Sequence, residues 1–241
     1  MKKLFAILGL LIYCGSVQAQ SPDYNDLIIL FADAKYEKLI SSSIRYTEKE
    51  STAQDALPYL WLSKGLYAMS QQGDKDPMYK NAFKESIAAL GNFRKKDKDG
   101  ALFQEHIEYI DKIKAAVLEQ VTNEIDAKAF KKATPILAKY YKISPDDVGA
   151  KFLEAACKFR DGDKSGANNI WKETDKKMAT MTNLDNMTEV DQQLFRAGVF
   201  ETAECWISSK QVDKAKKLLD KVAPWFEEDE EFKTRYDSLN L

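Results

Sequence analysis

Few residues of this chain are suited to catalysis, and the only histidine, His106, is the first to consider. It lies beside Glu105 and Glu108 on the polar face of a predicted helix. A catalytic histidine needs an orienting partner and a nucleophile within hydrogen-bond reach, and the neighbouring sequence supplies neither. We therefore interpret His106 as a structural or solvent-facing residue.

No other pattern of a catalytic or metal-binding site is present in the sequence. Cys157 and Cys205 are the only cysteines after residue 14, and with a single histidine they do not complete a four-ligand zinc site. The acidic run 227–231 lacks the alternating ligand spacing and the turn glycine of a calcium loop. No glycine-rich phosphate loop or nucleophile elbow occurs. The sequence predicts a protein that is not an enzyme and has no metal site and no cofactor.

Composition narrows the class of protein further. Hydrophobic residues make up 44% of the 241 residues and charged residues 31%, which is typical of a globular chain that buries a core. The formal net charge is −2, so the basic excess of a nucleic-acid-binding protein is missing, and we expect no nucleic-acid partner. Glycine is scarce, with ten residues in the whole chain, which favours helices.

The first segment of the chain has the pattern of a secretory signal peptide. Lys2 and Lys3 precede an uninterrupted apolar run over 4–13, and small residues up to Ala19 form a cleavage site. We expect residues 1–19 to be removed and the remaining chain to be periplasmic or secreted. The apolar run is too short for a permanent anchor, and no later stretch is longer, so no integral membrane segment is predicted.

Lipidation of Cys14 is the alternative interpretation of this segment. It would anchor the protein to a membrane surface instead of releasing it. Tyr13 argues against it, because lipoprotein processing requires a small residue at that position.

The rest of the sequence predicts a chain of helices. Apolar residues recur at intervals of three and four, and no run alternates for long enough to form a strand. Ser144, followed by Pro145 and two acids, predicts a capped helix start. Pro135 either kinks its helix or starts a new one, and 178–187 is predicted to be a loop. The predicted helices are 22–32, 35–48, 55–72, 77–94, 101–123, 126–142, 146–160, 164–179, 189–209, 212–225 and 228–238.

One spacing of small, large and apolar residues recurs between successive helix pairs. It is carried by Ala133, Leu137, Tyr140 and Pro145; by Ala167 and Trp171 after the turn at Gly162-Asp163; and by Ala203, Trp206, Ala215, Leu219 and Val222. Small residues let two helices approach closely, and large residues fill the gap to the next pair. In this spacing the chain resembles the tetratricopeptide-repeat family, best over 128–225.

This resemblance implies an all-α fold, a right-handed α-solenoid of stacked antiparallel helix pairs. We expect one helical-repeat domain over 20–241 with about five pairs. Repeat lengths vary and the helix from Ala101 is long for the family, so a different helical-hairpin solenoid is the alternative. In these frames Cys157 and Cys205 occupy equivalent places in neighbouring first helices, whose axes lie about 8–10 Å apart. A disulfide needs Cα atoms within about 7 Å, so the two are predicted to be buried thiols rather than a disulfide.

In the family the first helices of the pairs line a concave groove. The resemblance places on that side a set of aromatic and charged residues: Phe152, Phe159, Arg160, Phe200 and Glu204. Aromatic and arginine side chains are the usual anchors of protein interfaces. We therefore expect another protein, bound as a peptide or helix, to be the partner in this groove.

The function expected from these observations is that of a non-catalytic adaptor or scaffold, exported from the cytoplasm, that mediates protein–protein interaction. Two alternatives remain open at the level of the sequence. The first is a structural subunit of an envelope assembly or secretion machine. The second is an α-helical enzyme or small-ligand carrier whose site the sequence does not reveal.

Overall fold

A computed structural model describes residues 22–73 and 76–239 of the chain. The predicted signal peptide, its cleavage site and Cys14 lie outside these residues. The described residues form an all-α protein with no strand, which confirms the predicted class. The helices are α1 Asn25–Ala32, α2 Tyr36–Glu48, α3 Leu57–Ser70, α4 Ala82–Lys96, α5 Ala101–Glu105, α6 Ile107–Asp126, α7 Phe130–Tyr140, α8 Val148–Arg160, α9 Lys164–Met178, α10 Glu189–Ser208, α11 Val212–Val222 and α12 Glu230–Ser238, with short 3-10 helices at Pro77–Tyr79 and Ala223–Phe226.

The structure differs from the predicted helix map at three places. The predicted helix 101–123 is divided at His106, whose φ of −106° and ψ of 22° leave the helical region. The predicted helix 77–94 starts as a 3-10 turn and becomes α-helical only at Ala82. Ser144 is not the cap of α8: Asp147 is, because its carboxylate accepts a hydrogen bond from the Ala150 amide at 2.8 Å.

Pro135 lies inside α7, and the helix continues through it. Proline has no N–H to donate to the carbonyl of Lys131, four residues earlier. Both residues are exposed, so water can satisfy that carbonyl.

The buried apolar residues of the described chain form four clusters. Helices α8 to α12 enclose the largest apolar cluster, and α4, α6, α7 and α8 enclose a second. Two smaller clusters join α1, α2, α3 and α4. In the described part of the chain no helix combines the length and the apolar character needed to cross a bilayer.

Helices α8 and α10 approach each other closely where they cross at two glycines. A Cβ atom added to Gly198 would lie 2.3 Å from the carbonyl oxygen of Gly149, and one added to Gly149 would lie 2.4 Å from the amide nitrogen of Phe195. No side chain larger than a hydrogen fits at these two positions. The approach also lets Thr202 Oγ1 of α10 donate to the Phe152 carbonyl of α8 at 3.3 Å.

Candidate functional site

Two of the five predicted groove residues are core residues. Phe152 and Phe200 are both 0% exposed, so the prediction that they line an open groove is wrong. Phe152 packs edge-to-face on Phe195 with ring centres 6.3 Å apart. Phe200 is covered by α12, whose Phe232 ring lies 5.0 Å from it. The final helix thus closes the face of α10 that the repeat spacing assigned to a partner.

Phe200→Ala is therefore expected to act on stability rather than on binding. Removing a fully buried ring is expected to lower the free energy of unfolding by about 3–5 kcal/mol. Thermal or urea unfolding would measure the loss. A variant with an unchanged midpoint would show that α12 does not cover this ring.

The other three predicted residues are partly exposed, and two of them belong to one charged network. Arg160 of α8 pairs with Glu201 at 2.8 Å and with Glu204 at 3.1 Å on α10. Arg235 of α12 pairs with the same two glutamates at 3.0 Å and 2.7 Å. The two positive and two negative charges balance inside the protein, so this network joins three helices and leaves no charge unpaired for a partner. Phe159 packs on Trp171, with ring centres 5.4 Å apart.

The two cysteines are free and buried, as predicted. Burial raises the pKa of the Cys157 thiol to about 12 and that of the Cys205 thiol to about 11. Only a thiolate attacks an alkylating reagent, so these thiols are unreactive near neutral pH.

The chain beginning at Gln20 is therefore expected to take up no iodoacetamide when folded at pH 7 and two equivalents when denatured. Intact-mass spectrometry after alkylation would measure both values. Rapid labelling of the native protein at either cysteine would contradict its described burial.

A second cluster, at the other end of the chain, was not predicted as a site. The ammonium of Lys64 in α3 lies over three aromatic rings, 4.4 Å from the centre of Trp61, 5.3 Å from that of Tyr109 and 5.8 Å from that of Phe31. These rings come from α3, α6 and α1, respectively. We call the four residues the aromatic–lysine cluster. Phe31 is 36% exposed, so solvent reaches the cluster from the side of α1.

The electrostatics of the cluster depend on the burial of Lys64. Burial lowers the pKa of the Lys64 ammonium, and the nearby Glu105 opposes that shift. Among the described residues no carboxylate lies within ion-pair distance of Lys64, which leaves the aromatic rings as its close partners. Cation–π contacts of this kind contribute about 0.5–2 kcal/mol each, depending on how far they are removed from water.

Hydrogen bonds hold the inner side of the cluster in place. The Tyr109 hydroxyl lies 2.8 Å from Ser63 Oγ, which donates to the Ser86 carbonyl at 2.9 Å. Ser63 is fully buried, so this chain joins α3, α4 and α6 inside the protein. The position of Tyr109 is thus fixed before any partner arrives, which reduces the entropy cost of binding.

A groove of about 250 Å³ follows the cluster toward the end of α3. Tyr67 joins the two, since its ring centre is 6.4 Å from that of Tyr109 and its side chain also lines the groove. Gln120 of α6 lines the same groove, and its side-chain oxygen is buried without a hydrogen-bond partner. The aromatic surface therefore continues into a polar one.

A buried cluster of charged side chains joins α6 and α10, and its geometry is that of an ion pair that holds two helices together. Lys114 is 4% exposed, and its ammonium lies 2.8 Å from Asp191 and 3.4 Å from Asp111. Asp147 is nearby and accepts a hydrogen bond from the Tyr140 hydroxyl at 2.6 Å. Burial raises the pKa of the Asp147 carboxyl. Within 22–73 and 76–239, no three His, Cys, Asp or Glu side chains are grouped so as to hold a metal ion.

Comparison with known proteins finds no relative: no protein family, no curated protein and no solved structure matches this chain.

Proposed function

We propose that this protein is a non-catalytic adaptor that presents a preformed helical surface to another protein. The single observation that carries the proposal is the aromatic–lysine cluster. Three aromatic rings and one cation from three helices meet at a half-open surface, and side chains of this kind dominate the energy of protein interfaces.

The arrangement of the helices supports a solenoid as the finer description of the fold. Three-residue connections join α1 to α2, α6 to α7, α8 to α9 and α10 to α11, and a longer connection with the 3-10 helix Pro77–Tyr79 joins α3 to α4. This gives five pairs, with α12 closing the last one. The small residues of the repeat spacing are fully buried: Ala133, Ala167, Ala203 and Ala215. These features favour a tetratricopeptide-like solenoid as the fold of the chain. Export to the periplasm or the cell exterior is part of the same proposal and rests on the sequence of residues 1–19.

The proposal moves the partner site toward the N-terminal half of the chain. Of the residues first predicted for it, Phe152 and Phe200 are core residues, Arg160 and Glu204 are paired with each other, and Phe159 packs on Trp171. Phe31 and Tyr109 instead present rings beside the Lys64 ammonium, which has no carboxylate within ion-pair distance among the described residues. A partner segment with an apolar anchor and an acidic residue would match this surface.

An affinity capture with matched variants tests the proposal. The chain, as processed by an exporting host, is immobilised and exposed to envelope extract, and the bound proteins are quantified by mass spectrometry. Phe31→Ala and Lys64→Ala are each expected to weaken capture of one stoichiometric partner at least about tenfold. Circular dichroism melts confirm that both variants are folded.

Val212→Ala is the matched control, because Val212 is an exposed apolar residue (43%) far along the chain in α11. It should capture the partner as the wild type does. If no stoichiometric partner is captured, the adaptor proposal is wrong. Loss of capture in Arg160→Ala but not in Phe31→Ala would return the site to α8 and α10.

A further inference from the structure

A cavity of about 270 Å³ lies where α4, α5, α8 and α10 meet the connection between α7 and α8. None of the described residues that line it belongs to the aromatic–lysine cluster. Its apolar wall is formed by five residues: Phe103, Ile143, Pro145, Val148 and Met187. Sites for drug-sized ligands usually measure about 300–1,000 Å³, so this cavity suits a smaller molecule.

One side of the cavity carries a cation that has no acidic partner among the described residues. The guanidinium of Arg94 in α4 lies 4.7 Å from the centre of the Phe103 ring, and both residues line the cavity. Within the described residues, Arg94 has no ion pair and no side-chain hydrogen bond. The nearest acid along the chain, Asp97, is buried and accepts a hydrogen bond from the Phe103 amide at 2.7 Å. A planar guanidinium held on a ring is suited to bind a carboxylate through two parallel hydrogen bonds.

The other side of the cavity carries more acidic than basic groups. Asp147 and Asp191 both line it. Burial and, less strongly, the negative charge of Asp191 raise the pKa of the Asp147 carboxyl, so the two carboxylates lie close enough to influence each other. Among the described residues, Lys114 alone pairs with these acids, and it is shared by Asp191 and Asp111. A second positive charge beside Asp147 and Asp191 would therefore be stabilised.

We infer that this cavity binds a free α-amino acid with an apolar side chain. The ligand carboxylate pairs with Arg94, its ammonium with Asp147 and Asp191, and its side chain contacts the apolar wall. Asp146, the third acid that lines the cavity, is already paired with Lys177.

The two unbalanced charges of the cavity select a ligand that carries both signs. Asp147 and Asp191 repel a purely anionic ligand, and Arg94 repels a purely cationic one. An amino acid has both charges on one carbon atom and is small enough for the volume. The site does not depend on the proposed adaptor function, because it uses other residues and another kind of ligand.

Isothermal titration calorimetry of the processed chain with L-leucine, L-methionine and L-phenylalanine tests this inference. At least one of the three is expected to bind with a Kd of about 1 mM or tighter. Glycine, which keeps both charges and lacks the side chain, should bind at least about tenfold more weakly than the best of them. If none of the three binds, the inference is wrong.

Two derivatives of the best ligand separate its charges. The methyl ester removes the charge of the carboxylate, and the N-acetyl derivative removes that of the ammonium. Each is expected to bind at least about tenfold more weakly than the amino acid. If the N-acetyl derivative binds equally well, the cavity recognises a carboxylate alone, such as a peptide C-terminus, and the inference is overturned. Equal binding of the methyl ester overturns it as well.

A matched pair of variants tests the role of Arg94. Arg94→Gln should weaken binding of the best ligand at least about tenfold, because it removes the charge and the planar fork. Lys95→Gln, which removes the same charge from the next, exposed residue of α4, should bind as the wild type does. Circular dichroism melts check that both variants are folded. Unchanged binding in Arg94→Gln, or an equal loss in both variants, contradicts the inference.

Discussion

Gly198→Ala is expected to lower the free energy of unfolding by about 3 kcal/mol, although alanine is the better helix former by about 1 kcal/mol. The added methyl group would lie 2.3 Å from the Gly149 carbonyl oxygen and 2.8 Å from Phe152 Cβ. The first of these atoms belongs to the backbone of α8 and cannot rotate away. The two helices must separate, and the apolar contacts between them are weakened along their length.

Urea unfolding followed by circular dichroism measures this loss, and Gly73→Ala provides the matched control. A Cβ atom at Gly73 meets no atom within 4 Å, so that variant should unfold at the wild-type midpoint. The two variants make the same chemical change; Gly198 lies in a helix, where alanine alone would be favourable, so a loss of stability in Gly198→Ala must come from what the methyl group meets. Equal midpoints for Gly198→Ala and the wild type would show that α8 and α10 do not cross at these glycines.

Lys114→Met is expected to cost about 3–5 kcal/mol at neutral pH, the usual effect of removing one member of a buried ion pair. Methionine keeps the length of the side chain and removes its charge, which leaves Asp191 and Asp111 without their cation. Lys176→Met is the matched control. Lys176 also pairs with an acid, Glu173 at 2.8 Å, but both side chains are largely exposed, so that variant should keep the wild-type stability.

The loss of unfolding free energy in Lys114→Met is expected to depend on pH. Burial holds the pKa of Asp147 above its unfolded value, so the folded state favours the protonated form of this carboxyl. Its contribution to the free energy of unfolding therefore falls as the pH rises from the unfolded pKa through the folded one. Lys114 opposes this rise of the pKa in the wild type, so its removal disfavours the charged form of Asp147 further, and that penalty is lost when acidification protonates Asp147. The difference between variant and wild type should therefore shrink at low pH. A difference that is constant with pH would mean that the missing charge is not its cause.

The two clusters illustrate why a site is harder to predict than a helix. Phe200 and Phe31 are both aromatic residues of helices, in α10 and α1, and their local sequence patterns do not tell them apart. What distinguishes them is α12, which covers Phe200 with Phe232, whereas no helix of the described residues covers Phe31, which is 36% exposed. Whether a later helix folds back over a given face depends on tertiary packing, which the periodicity of one helix does not contain.

Local chemistry in the sequence determined the helices of this protein. Scarce glycine, apolar spacing at three and four, and capping acids are short-range signals, and these predicted nearly every helix within a few residues. The burial of the small residues at 133, 167, 203 and 215 was also predictable from the sequence, because close helix contacts require small residues. The same spacing predicted that Cys157 and Cys205 are buried and unbridged.

Only the tertiary structure decided which polar and aromatic residues meet. Lys114 and Asp191 are far apart in sequence, and so are Phe31, Lys64 and Tyr109. From its neighbours in sequence alone, each of them would be taken for an ordinary residue of a helix surface. Their contacts depend on the angles between helices, which are set by many packed side chains at once. A lysine becomes a buried counterion, or the centre of an aromatic cluster, only when several helices bring their side chains around it.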